Sequence, residues 1–178
     1  PGAPTAVSGT AGDAAVTLTW TAPAVTGGAA IDDYEANYTT DVSGEWSPYD
    51  DGESEAATMT VSGLTNGTGY FFKVRAHNAA GWGDWSDPSS VLTPLALPGA
   101  PTGVEALGGN GHASVTWTAP DDTGGAPLLQ YRVQAYYYGG ADSGDPVPGG
   151  AQLTDGAATS LEYSLANGRS YTFKVAAR

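Results

Sequence analysis

The 178 residues include no cysteine, which removes disulfides, zinc ribbons and thiol nucleophiles together. Cations are nearly as scarce, with six Lys plus Arg against 19 Asp plus Glu and a formal net charge of -13. Phosphate backbones are held by clustered Lys and Arg, and so few cations cannot line a groove, so nucleic acid is not an expected partner. Anionic membrane surfaces are disfavoured for the same reason. No apolar run approaches the roughly 20 residues of a membrane helix, so no membrane insertion is expected. The N-terminus also lacks the basic-then-apolar form of a signal peptide. The chain starts at Pro1 rather than Met, as a processed or excised section of a longer protein would. No window sustains an apolar period of three to four residues, so no helix is predicted.

What the chain does have is 26 Gly, 12 Pro and 40% hydrophobic residues, among them ten Tyr and five Trp. That composition reads as short strands separated by Gly/Pro turns. Self-comparison then finds two copies of one unit. "PGAPT" occurs at Pro1 and Pro98 and "WTAP" at Trp20 and Trp117, each pair 97 residues apart. "LTNGTGYFFKVRA" from Leu64 matches "LANGRSYTFKVAA" from Leu165 at a separation of 101, which implies a four-residue insertion in the second copy. Within the first copy Val16, Leu18 and Trp20 share one face of a strand, as do Tyr34, Ala36 and Tyr38, and Tyr70, Phe72, Val74 and Ala76. About seven such strands in under a hundred residues make two antiparallel sheets packed face to face.

The buried Trp in "LTWTAP" and "VTWTAP", followed by "L-x-N-G-x-x-Y-x-F-x-V-x-A", resembles the fibronectin type III pattern over nearly the whole chain. The Ala/Gly/Thr-rich version here is most similar to modules strung along secreted and surface proteins of bacteria. The resemblance implies an all-β fold of two immunoglobulin-like sandwiches in tandem, residues 1–95 and 96–178, with a tyrosine corner at Tyr70 and at Tyr171. The connector "TPLALPGAPT" carries three prolines in ten residues, which stiffen it. The first copy continues past Ala76 to a last strand expected near Ser86–Thr93. The second stops at Arg178, so it is expected to lack its last strand and to present an open edge, through which the chain could self-associate.

If Tyr70, Phe72, Val74 and Ala76 point inward, Lys73 and Arg75 point outward. Trp82 and Trp85 in "WGDWS" would share one edge of a segment repeating every three residues. Stacking of those rings on the two cations predicts a structural latch that holds the last strand to its neighbour. The motif also resembles the tryptophan-serine box of class I cytokine receptors. Those receptors carry the box in the second domain of a pair and cysteines in the first, so the likeness implies a shared way of stapling a strand. Tyr136, Tyr137 and Tyr138 form the densest aromatic cluster, with Tyr136 and Tyr138 outward as candidate contacts for a partner or a glycan. The acidic runs at Asp50, Asp51, Glu53 and Glu55, at Asp121 and Asp122, and at Asp142 and Asp145 lack the spacing of a calcium loop. They are read as solvated turn residues, and no metal or cofactor is expected.

No nucleophile elbow, metalloprotease helix or phosphate loop is present, so the expectation is a protein that is not an enzyme. Its expected role is that of an extracellular structural, spacer or adhesion module in a larger surface, secreted or virion protein. Its partner would be a protein or polysaccharide at the cell surface. Two alternatives stand beside this: an accessory module of a polysaccharide-degrading enzyme that binds glycan weakly, and a self-assembling fibre subunit completed by a donated strand.

Overall fold

Residues 1–178 are all described in a computed structural model, and every regular element is a β-strand. The chain divides into unit 1, Pro1–Ala96, and unit 2, Leu97–Arg178. In unit 1, β1 (Thr5–Gly12), β2 (Ala15–Thr21) and β5 (Thr58–Ser62) form one sheet in the order β1-β2-β5. The second sheet holds β3 (Ile31–Thr39), β4 (Ser47–Tyr49), β6 (Phe71–Asn78) and β7 (Gly81–Trp82) in the order β4-β3-β6-β7. Unit 2 repeats the plan with β8 (Thr102–Gly108), β9 (His112–Thr118) and β12 (Ser160–Ser164) in one sheet. Its other sheet holds β10 (Tyr131–Tyr138), β11 (Gln152–Leu153) and β13 (Ser170–Ala177), ordered β11-β10-β13. All pairings are antiparallel.

Period-two alternation closes each core. Val16, Leu18, Phe72, Val74 and Ala76 are fully buried, with Trp20 edge-on to Tyr34 at 5.1 Å between ring centroids. Unit 2 reproduces the pair as Trp117 and Tyr131 at 5.2 Å. One difference separates the cores. Phe173, Val175 and Ala177 on β13 match Phe72, Val74 and Ala76 in sequence but are only partly buried. β13 is the edge of its sheet, whereas β6 is covered on its outer side by the segment that follows it.

That covering segment corrects the expected strand at Ser86–Thr93, which does not form a regular ladder. After β7 it touches β6 once every three residues, through Gly83 N–H to Ala76 O, Ser86 N–H to Val74 O and Ser89 N–H to Phe72 O, each at 2.8 Å. It ends in a two-way bridge between Leu92 and Tyr70, both bonds 2.9 Å. Three residues face every two of β6, one extra per step, as in successive bulges. Pro88 has no N–H to give. The buried hydroxyls make good the shortfall: Ser86 Oγ accepts from Val74 N–H at 3.0 Å and Ser89 Oγ from Phe72 N–H at 3.1 Å. Unit 2 uses the same device elsewhere, where the buried Thr154 gives its N–H to Tyr131 O at 2.9 Å and accepts Tyr131 N–H on Oγ1 at 2.8 Å.

The two copies differ in strain at two matched places, a bulge in the first strand and the turn that follows that strand. Ala6 and Ala14 adopt φ of 53° and 48°, where unit 2 has Gly103 and Gly111 at 58° and 77°. A Cβ in that region costs about 1–2 kcal/mol, which glycine avoids. The turn is otherwise built alike in the two copies, with Asn66 Oδ1 accepting from Ala14 N–H and Asn167 Oδ1 from Gly111 N–H, each at 2.8 Å. Ala14→Gly is therefore expected to stabilise unit 1, and Gly111→Ala to destabilise unit 2 by about 1 kcal/mol. Urea melts of the two variants against the parent chain would check both signs.

Candidate binding surfaces

On the outer face of β6, Lys73 and Arg75 lie within a column of three indoles. Arg75 stands 4.8 Å from the Trp82 ring centre and 4.6 Å from Trp85, and Lys73 Nζ stands 4.8 Å from Trp85 and 4.4 Å from Trp46. The order is Trp82, Arg75, Trp85, Lys73, Trp46, ring and cation in alternation. The three-residue advance of the covering segment places Trp82 and Trp85 one step apart, matching the two-residue step between Arg75 and Lys73. Glu35, across the ladder from Arg75, accepts from its Nε at 2.8 Å and its Nη2 at 2.5 Å, both on Oε2. Trp46 escaped the sequence reading because it sits just before the three-residue β4, outside any alternating run. Its only signal was the "WS" it shares with Trp85–Ser86.

Beside this column, a groove of about 430 Å³ is walled by Trp82 and Pro48 and lined by Asp33, Glu35, Asp50 and Asp51. Partial burial, with Asp33 and Asp50 nearby, raises the Asp51 pKa from its ordinary value. Asp50, Asp51, Glu53 and Glu55 are all exposed and lie outside the strands, as solvated turn residues would. Asp41 moves the other way: hydrogen bonds from the Ser43 hydroxyl and N–H, at 2.7 and 2.9 Å, lower its pKa. No group of three or more His, Asp or Glu side chains is arranged to hold a metal ion.

The tyrosines fall into two sets. Tyr70, buried in unit 1, accepts a hydrogen bond on its hydroxyl from Thr65 N–H at 3.1 Å. Tyr171 donates its hydroxyl to Ala166 O at 3.0 Å. Each bond reaches backbone five residues upstream, with opposite donor sense. On β10, Tyr136 is half-buried with Lys174 Nζ 5.0 Å above its ring, while Tyr137 lies between Arg169 at 4.8 Å and Tyr171 at 5.7 Å. Tyr138 is 65% exposed and carries no such contact.

Both histidines meet carboxylates, His77 Nδ1 at 2.7 Å from Asp32 and His112 Nε2 at 3.5 Å from Glu162. Neither imidazole is hydrogen-bonded to a serine or threonine hydroxyl, so no nucleophile and base are paired.

The family model for the fibronectin type III domain matches residues 2–92. The chain belongs to the fibronectin type III family. It is 40% identical over 78 residues to Kelch domain-containing protein SSO1033 of Saccharolobus solfataricus, covering 43% of this chain and 10% of that protein. To neural cell adhesion molecule 1 of Gallus gallus it is 34% identical over 116 residues, covering 63% of this chain and 11% of that protein. Among solved structures, domains A168–A170 of titin match 52% of this chain and 32% of that one, at 31% identity and a TM-score of 0.49. The chain spans about a tenth of the length of these two relatives. Fibronectin type III domains are in the main structural, non-catalytic modules, and this family's relatives here include an adhesion molecule and a protein of striated muscle. No helix in the chain is long and apolar enough to cross a membrane.

Proposed function

We propose that this pair of fibronectin type III modules is a spacer and adhesion section of a larger surface or secreted protein of the bacterial type, with a protein or polysaccharide partner at the cell surface. The observation that carries this reading is that each unit has its own core. Val16, Leu18, Phe72 and Val74 anchor one, and Val115, Tyr131 and Val133 the other. Units that fold separately can be strung together without altering one another, which suits display and spacing. In unit 1 the stack of three tryptophans on Lys73 and Arg75 acts as the latch of the covering segment, and Tyr70 and Tyr171 serve as corners of their loops. Residues 1–96 produced alone are expected to unfold cooperatively at the midpoint that unit 1 shows in the full chain. A broad, non-cooperative melt would remove the reading.

The exposure of Tyr138 favours one second reading, weak glycan binding by an accessory module, because an uncovered aromatic face suits stacking on a sugar ring. Screening the chain against a glycan array would show binding that Tyr138→Ala abolishes. Binding that survives the substitution, or none at all, would retire it.

A further inference from the structure

The groove beside the indole column is lined wholly by residues between Asp33 and Trp82, inside the family match to residues 2–92. Its charges are unbalanced. Glu35 is met by Arg75, whose Nε and Nη2 both give to Oε2, but Asp33, Asp50 and Asp51 form no ion pair. Asp33 Oδ1 and Asp50 Oδ1 accept backbone N–H groups instead, from Ser54 and Gly52, each at 2.9 Å. Four carboxylates therefore stand against one guanidinium. Unit 1 has no Lys or Arg to spare for them, since Lys73 and Arg75 are both committed to the column. Burial first, and then the charges of Asp33 and Asp50, raise the Asp51 pKa, as carboxylates gathered without a counter-ion do. The Trp82 ring lines the same groove and is exposed, where Trp46 and Trp85 are half-buried.

The neighbouring column shows what such a set of groups holds. Arg75 lies 4.8 Å from the Trp82 ring centre while its fork bonds Glu35, so one arginine takes an indole and a carboxylate together. The groove offers the same two kinds of partner, the exposed side of Trp82 and the carboxylates of Asp33, Asp50 and Asp51, with no cation between them. A guanidinium is flat, weakly hydrated and rich in donors, so it stacks on an indole and pairs with a carboxylate at once. No three of these acids converge as a metal ion requires, so the groove suits charges spread along a chain. Another copy of this protein, with its net charge of -13, would be repelled. A volume of about 430 Å³ admits the side chains of an extended segment. We propose that this groove binds a basic, extended segment of a partner protein, with one arginine between Trp82 and Asp33 and a second cation beside Asp50 and Asp51. The proposal deepens the reading of the pair as a module with a protein partner and rests on it.

The probe is the end-blocked peptide Gly-Arg-Gly-Arg-Gly, titrated into the full chain and followed by NMR of the Trp82 indole N–H and the Asp51 backbone amide. Both signals are expected to shift and to saturate. Asp50→Asn combined with Asp51→Asn is expected to weaken binding roughly three- to tenfold, as the loss of two exposed charge pairs would. Its Tm is expected to stay near the parent's, because asparagine keeps the Oδ1 that Gly52 N–H uses. Asp121→Asn with Asp122→Asn removes the same charge from unit 2 and is expected to leave binding unchanged. A peptide with lysine at both arginine positions is expected to bind several-fold more weakly. Four outcomes would overturn the proposal: no saturable shift with millimolar peptide, the same shifts from calcium alone, equal weakening by the Asp121 and Asp122 exchange, or a lysine peptide that binds as tightly as the arginine one. None of these bears on whether residues 1–96 unfold cooperatively, so the spacer reading stands or falls separately.

Discussion

Ser86→Ala combined with Ser89→Ala is expected to destabilise unit 1 more than any other pair of one-atom deletions on its surface segments. Each serine is buried, at 7% and 6% exposure, and each hydroxyl is the acceptor for a β6 amide that has no other partner. Alanine keeps the segment's own N–H bonds to Val74 O and Phe72 O but leaves two buried N–H groups unmet. An unsatisfied buried donor costs about 1–3 kcal/mol, so the pair together is expected to cost about 2–6 kcal/mol. For a domain of this size each kcal/mol lowers Tm by roughly 4–8 °C, so the double variant would melt well below the parent. Thermal denaturation of residues 1–96 and its two single and one double variants would measure the loss. A double variant that melts with the parent would mean that water reaches these amides. Thr in place of each Ser retains the oxygen, and is expected to restore much of the loss where its extra methyl fits.

Trp85→Ala is expected to have the next largest effect, because Trp85 is the one ring that touches both cations. Removing it breaks the contact to Arg75 at 4.6 Å and that to Lys73 at 4.8 Å, and leaves Trp82 and Trp46 each with a single partner. Cation–π contacts at exposed sites are worth about 0.5–1 kcal/mol each, so the two give about 1–2 kcal/mol before the lost apolar burial is added. Trp82, at 42% exposure, sits at the end of the column and contacts only Arg75 of the two cations. Trp82→Ala is therefore expected to cost less. A double-mutant cycle of Trp85→Ala with Lys73→Met would isolate the stacking term, with an expected coupling of about 0.5–1 kcal/mol. A coupling of zero would mean that the indole covers the strand by area alone.

The fold was legible because its signals are local and doubled. The alternation in Val16–Trp20 and Phe72–Ala76 needs only neighbouring residues to be read, and the repeat supplies an independent copy of each strand. The error at Ser86–Thr93 has the same origin. Ser86, Ser89 and Leu92 recur every three residues, which is neither the strand period nor the helix period. Only the positions of the β6 carbonyls and amides reveal that the spacing is a pairing pattern. Trp46 was illegible for another reason: it reaches Lys73 from 27 positions away, through a loop whose path no periodicity describes. The rise in the Asp51 pKa likewise comes first from burial and then from the charges of Asp33 and Asp50, and Asp33 lies on a strand distant in sequence.

The amino-acid order alone determined that this protein is all-β, built twice over, and short of the cations, thiols and helices that many other functions require. Composition, alternation and self-similarity are properties of the chain, and they survive without knowledge of any distant contact. Tertiary structure alone decided which rings stack on which cations, and that a hydroxyl replaces a ladder bond at two serines. Each of these depends on where separate strands come to lie beside one another, and that is set by the packing of the two sheets on a common core.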